Sequence, residues 1–258
     1  MLQMKTNTQV LRNSLTLTHR NLLKTLHNPD NVSDVLVQPI IFTLLFGYLF
    51  GGVIAGSVHA YLPMLVSGIL VQSILNAASG SGQQLREDIN QGIFDRFKTL
   101  PIAPIAPLAG QLVGDSLRLL LSGGMAMVTA ALMGWRPTVN FGALMMALFL
   151  AVFIGWSTSW IFALVGLLVK NAELISSLSM IIILVLTFLS NAFIPVKTLP
   201  HFLQTIVRIN PVTTTITAIR GILNTGHWSG TATMVLVSGA VIILVFMPLT
   251  VMAYQRRD

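Results

Sequence analysis

The sequence has no cysteine, which removes disulfides, thiolate metal sites and cysteine nucleophiles together. Charge is also scarce: 9% of the 258 residues are charged, against roughly 25% in a soluble globular domain. The five histidines, His19, His27, His59, His201 and His227, have no partner at i+4 and no carboxylate at ligand spacing, so no metal centre is read from them. No serine sits in a G-x-S-x-G elbow. The first thirty residues lack a continuous apolar run and a small-residue cleavage site, so a retained N-terminus is expected. An enzyme would need polar groups converging at one depth, and no such set is found.

Apolar residues are what the chain has in quantity, 54% of the total. A bilayer core about 30 Å thick is crossed by a helix of about 20 such residues. Six runs qualify: 35–56, 61–82, 105–134, 141–169, 174–194 and 231–254. The expected fold is therefore all-α and integral to the membrane, six spans in one transmembrane domain over 1–258. The net charge of +7 does not indicate nucleic acid, because the basic residues are spread along the loops instead of forming one face. With both termini cytoplasmic, ten Lys and Arg fall inside and four, Arg136, Lys197, Arg208 and Arg220, fall outside, as the positive-inside rule requires. The expected location is a cell membrane of the bacterial plasma-membrane type. In that orientation all eight acidic residues lie on the cytoplasmic side or low in the third run, which leaves no acidic proton relay across the bilayer. Energy comes from elsewhere, or the protein is passive.

Three stretches are neither spans nor simple loops. Residues 10–26 put Leu11, Leu15, Leu22 and Leu26 within an arc of about 60°, with Arg12, Arg20 and Lys24 pointing elsewhere, the pattern of an amphipathic helix lying on the interface. The third run would be about 45 Å long as a helix. Its first half carries Asp115 and Arg118, three apart and able to pair near the cytoplasmic interface, where a self-neutralised structural pair is expected rather than a substrate site. Residues 196–230 read as two short helices broken at Asn210–Pro211. Periodicity alone leaves open whether they form a hairpin dipping into the outer leaflet or an ordinary outer loop. Small-residue pairs, Gly47 with Gly51, Gly52 with Gly56 and Gly110 with Gly114, suit close helix packing, and Pro39 and Pro248 are candidates for kinks.

The densest cluster of charge is "LREDINQGIFDRFKTLPIAP", Leu85 to Pro104, with six charged side chains. Its stretch "GIFDRFKT" falls one residue short of a phosphate-binding loop, because Phe97 stands where the second glycine must be. Leu85, Ile89, Ile93 and Phe97 recur every four residues, an apolar seam flanked by both signs of charge. Such a helix fits a groove on another protein, or equally lies on its own bundle.

The block "EDINQGIFDRFKTLPIAPIAPLAGQLVGDSLR", Glu87 to Arg118, resembles the signature of the ABC-2 exporter permeases of the daunorubicin-resistance type. A second block, "NAFIPVKTLPHFLQTIVRINPVTTTITAIRGILNTG", Asn191 to Gly226, is similar to that family's segment before its last span. The resemblance implies a coupling helix at 86–98 seated in a separate nucleotide-binding ATPase. Glu87, Gly92, Asp95 and Arg96 fall on matching positions, with Asp88 and Phe94 in the same set. It implies an outer re-entrant hairpin at 196–230, with Pro195, Pro200, Asn210, Pro211 and Arg220 forming the outer gate. "PHF" at 200–202 departs from the glycine and tryptophan common in relatives. It further implies a second permease copy in a homodimer or heterodimer. ATP and magnesium would sit on the partner ATPase, and no cofactor on this chain. The expected function is export of a hydrophobic or amphiphilic cargo such as a drug, lipid or glycan; an ATP-independent carrier or channel is the alternative.

Overall fold

The computed structural model describes residues 33–92 and 106–255, and every regular element among them is helical. The interfacial helix expected at 10–26, and Phe94, Asp95 and Arg96, lie outside the described residues. A π-helical turn, Ser33–Val37, leads into α1, Gln38–Ala55. Pro39 stands at the start of α1, directly after the π-helical turn. Gly56, at φ 74°, closes α1.

Ser57 caps α2, Val58–Asn90, by accepting a hydrogen bond from the Ala60 N–H at 3.2 Å. This helix does not stop near Gly82 as its apolar run suggested. It continues for 33 residues, through Glu87 and Asp88, so the start of the charged stretch is its last turn and not a separate helix. At about 1.5 Å per residue α2 is about 50 Å long. It is also the centre of the bundle: 72% of its most apolar window is buried, against 17% for the last helix. Tyr61, Leu62, Leu65, Val66, Ile69, Leu70 and Ile74 are almost wholly enclosed, as befits a helix that is apolar all round.

Four more long elements follow. They are α3 (Ala106–Leu132), α4 (Phe141–Leu168), α5 (Ala172–Phe188) and, at the end, α8 (Gly230–Gln255). Helices α1, α3, α4 and α5 all pack on α2, and α8 lies against α4. Asn140 and Asn171 open α4 and α5, accepting from the Ala143 N–H at 2.9 Å and the Glu173 N–H at 2.8 Å. Between α5 and α8 the chain forms a short 3₁₀ turn, Val196–Thr198, then α6 (His201–Ile209) and α7 (Pro211–Thr225). Among the described residues, four helices are long and apolar enough to cross a membrane: Val35–Ala55, α2, α4 and Gly230–Tyr254. Helix α5 is apolar but shorter.

Of the expected small-residue pairs, Gly51 makes a close backbone approach. A side chain on Gly51 would strike the Val58 backbone at the start of α2, whereas Gly47 faces the Met133 side chain and Gly52 meets nothing. A further close approach is between α2 and α4, where a side chain on Gly82 would strike the Phe162 carbonyl and one on Gly166 the Gly82 carbonyl. Gly68 is similarly pressed against the backbone of Ala192. Backbone-to-backbone contact of this kind is available only to glycine.

Candidate functional site

Three groups of polar residues lie along α2, and each is built differently. At its C-terminal end, Leu85 is fully enclosed in a small core with Trp160, Ala163, Leu167 and Tyr254, and Ile89 packs against the same cluster. The first half of the apolar seam therefore faces the chain's own bundle and not a partner; Ile93 and Phe97 lie outside the described residues. The reason is continuity, since Leu85 prolongs the same buried helix. Arg86 Nε donates to the Lys170 carbonyl at 2.9 Å, tying this end to the α4–α5 turn. Asp88 is 5% exposed. Glu87 is half-buried and accepts from Gln83 Nε2 at 3.2 Å. Gly92 follows the last turn at φ 67°, its N–H donating to the Ile89 carbonyl at 3.0 Å. Only glycine holds that left-handed conformation without strain, so its presence here ends α2.

One side of α3 forms a polar seam with the middle of α2. Asp115 and Arg118 pair at 3.3 Å, both about 5% exposed. The pair is not self-contained: Arg118 also donates to the Ala77 carbonyl and, at 3.3 Å, to Ser81 Oγ. Gln111 Nε2 donates to the Ser81 carbonyl at 3.2 Å and Ser122 Oγ to the Ser73 carbonyl at 3.2 Å. Gly80 leaves room for the guanidinium, which a Cβ there would meet at 3.0 Å. Residues 111, 115, 118 and 122 share one helical face. The seam thus joins two helices where interhelical packing needs polar anchors.

At the N-terminal end of α2 sits the hairpin. Asn210 both ends α6 and opens α7, its Oδ1 accepting from the Val212 N–H at 2.9 Å. Its Nδ2 donates to the Leu186 and Leu189 carbonyls at 2.6 and 2.7 Å, which satisfies the last turn of α5. That explains why α5 ends at Phe188 instead of running on to Ile194. Pro195 precedes the 3₁₀ turn, Pro200 precedes α6, and Pro211 takes the first position of α7. Arg220 of α7 makes three bonds to other segments: Nε to Ser67 Oγ at 3.0 Å, and Nη2 to the Met64 carbonyl at 3.2 Å and the Asn191 carbonyl at 2.8 Å. Beside it, Tyr61 Oη donates to the Phe193 carbonyl at 2.7 Å and Asn191 Nδ2 to Thr217 Oγ1 at 2.9 Å.

Sequence reasoning singled out Asn210 and Arg220 but missed Tyr61, Ser67 and Asn191. The available signal was a hydroxyl inside each of two apolar turns, since a polar group in lipid must find a partner.

A sequence profile of the ABC-2 type transporter family matches residues 12–224. The chain belongs to that family. It is 36% identical over 249 residues, covering 95% of this chain and 87% of the relative, to the daunorubicin resistance ABC transporter permease protein DrrB1 of Streptomyces coeruleorubidus. It is 27% identical over 202 residues, 72% of this chain and 74% of the relative, to the inner membrane transport permease YadH of Escherichia coli strain K12. The profile spans both polar ends of α2 and α7 up to Asn224, so the features built here from single residues fall within the family's own matched region. In this ABC-2 chain Arg86, Arg118 and Arg220 each hold one helix to another segment.

Proposed function

We propose that the chain is the transmembrane permease subunit of an ATP-driven exporter, working with a second permease copy and a separate ABC-type ATPase that binds ATP and magnesium. The observation that carries this reading is the length and ending of α2. A helix of about 50 Å outruns a hydrocarbon core of about 30 Å, so its charged end, Arg86 to Gly92, projects from the bilayer as a handle. In this reading α1, α2, α3, α4, α5 and α8 are the six spans and α6–α7 is a hairpin at the outer surface. Two spans separate the N-terminus from the handle, which keeps them on one side, and the distribution of Lys and Arg favours the cytoplasm for that side. Glu87 and Gly92, with Phe94, Asp95 and Arg96 beyond them, are the residues offered to the ATPase. Asp88 instead steadies the handle from within.

A relative named for daunorubicin resistance supports a drug-like cargo. The outward faces of α5 and α8, built from Leu178, Ile181, Ile182, Met234, Val237 and Leu244, suit lipid or a second permease. The test is transport by the permease and its copurifying ATPase in sealed vesicles. ATP should drive export, and Glu87→Lys or Gly92→Pro should leave the permease inserted but reduce export per ATP hydrolysed by about tenfold, the scale of a typical coupling energy. Export that does not respond to ATP would turn the assignment to a passive carrier or channel.

A further inference from the structure

The two ends of α2 carry different kinds of contact, and the same unbroken helix joins them. Glu87 and Gly92, the residues offered to the ATPase, stand at one end. Met64 and Ser67, which receive Arg220, stand at the other. No break occurs in the helix between them. We propose that Arg220 is a positioning residue for export, latching the α6–α7 hairpin to α2 so that displacement of the charged end moves the hairpin with it. The inference rests on the ATPase reading given above.

Arg220 suits this role for three reasons. Its guanidinium is a planar fork with several donors, able to hold three acceptors at once. Those acceptors belong to two different segments, α2 through Met64 and Ser67 and the turn after α5 through Asn191. Two of the three are main-chain carbonyls, which cannot swing away, so the bond geometry reports backbone position directly. Around the latch, Gly68 lies against Ala192 and Tyr61 holds the Phe193 carbonyl at 2.7 Å, which keeps the turn after α5 on the same part of α2. A rigid helix pushed at one end carries whatever is fastened to the other.

The absence of cysteine makes the test clean, since one spin label can be placed at a time. Asn90 and Asn224 are both exposed, one at the charged end of α2 and one on α7. The whole permease, reconstituted with its ATPase in lipid vesicles, carries a label at Asn90→Cys or at Asn224→Cys, and ATP with vanadate traps the closed ATPase. Both labels should change their accessibility to a water-soluble relaxing agent. In Arg220→Gln the change at 224 should shrink at least about tenfold, the worth of one lost charge-assisted hydrogen bond, while the change at 90 stays within about twofold. Arg220→Lys keeps a charged donor and should recover about half of the response at 224. Ser67→Ala removes one bond of three, should give an intermediate loss, and decides the matter if Arg220→Gln fails to insert. A response at 224 equal to the parent's in Arg220→Gln, or in Ser67→Ala where that variant decides, overturns the latch. A parent that responds at 90 and not at 224 also overturns it, with the ATPase reading intact. A parent silent at both positions overturns the ATPase reading and the latch together.

Discussion

Both ends of α2 are packed backbone to backbone through a glycine, and they differ in what is added to that packing. At the charged end the helix is welded: Gly82 and Gly166 bring two backbones into contact, and Leu85 is sealed among Trp160, Ala163, Leu167 and Tyr254. At the hairpin end Gly68 lies against the Ala192 backbone, and the helix is latched there in addition by directional hydrogen bonds from Arg220 and Tyr61 to carbonyls and a hydroxyl. Close packing has no graded intermediate, because a gap or a clash of less than an ångström already forfeits much of the contact. Hydrogen bonds can be made and broken one at a time, each for a modest net free energy. The welded end therefore transmits a push, and the latched end has the means to respond to one.

This contrast can be broken from the welded side first. In the adjoining seam, Arg118→Met should cost about 3 kcal/mol or more by leaving the Asp115 carboxylate buried without its partner, seen as a lower melting temperature in detergent. The double variant Asp115→Leu with Arg118→Met should recover most of that loss, because an apolar pair in the same space leaves no charge unpaired. Gly166→Leu should cost about 3 kcal/mol by forcing α4 away from the Gly82 carbonyl, with aggregation on size-exclusion chromatography as the readout.

The latched side should respond more mildly. Asn210→Ala removes the cap of α7 together with two bonds to the end of α5, and a loss of about 1–2 kcal/mol in thermal stability is expected. Tyr61→Phe deletes a single bond to the Phe193 carbonyl and should cost about 1 kcal/mol in the same assay. If Tyr61→Phe proved as damaging as Gly166→Leu, the distinction between weld and latch would collapse.

Much of this was legible from residues alone. The apolar runs located α4 and α8 to within about a residue or two at each end, the usual uncertainty of helix boundaries. The spacing of Asp115 and Arg118 gave their pairing, and Asn210–Pro211 gave the break between α6 and α7. The continuity of α2 was hidden because Arg86, Glu87 and Asp88 resemble the end of an apolar run, although two of them are buried. The Gly82–Gly166 crossing was hidden for a different reason. A glycine announces that a close approach is possible but not which backbone will make it. Arg220 was visible, yet two of its three acceptors are main-chain oxygens, and no side-chain pattern encodes a carbonyl.

That α2 ends in a handle for an external motor is the claim on which the rest depends. Because the chain has no cysteine of its own, Asp95→Cys places a single thiol just beyond the described end of α2. A short crosslinker attached there, in membranes that also contain the copurifying ATPase, should yield a covalent permease–ATPase product. A thiol that is freely water-accessible but never captures the ATPase, or that reacts with a membrane-impermeant reagent from outside the cell, would contradict the account.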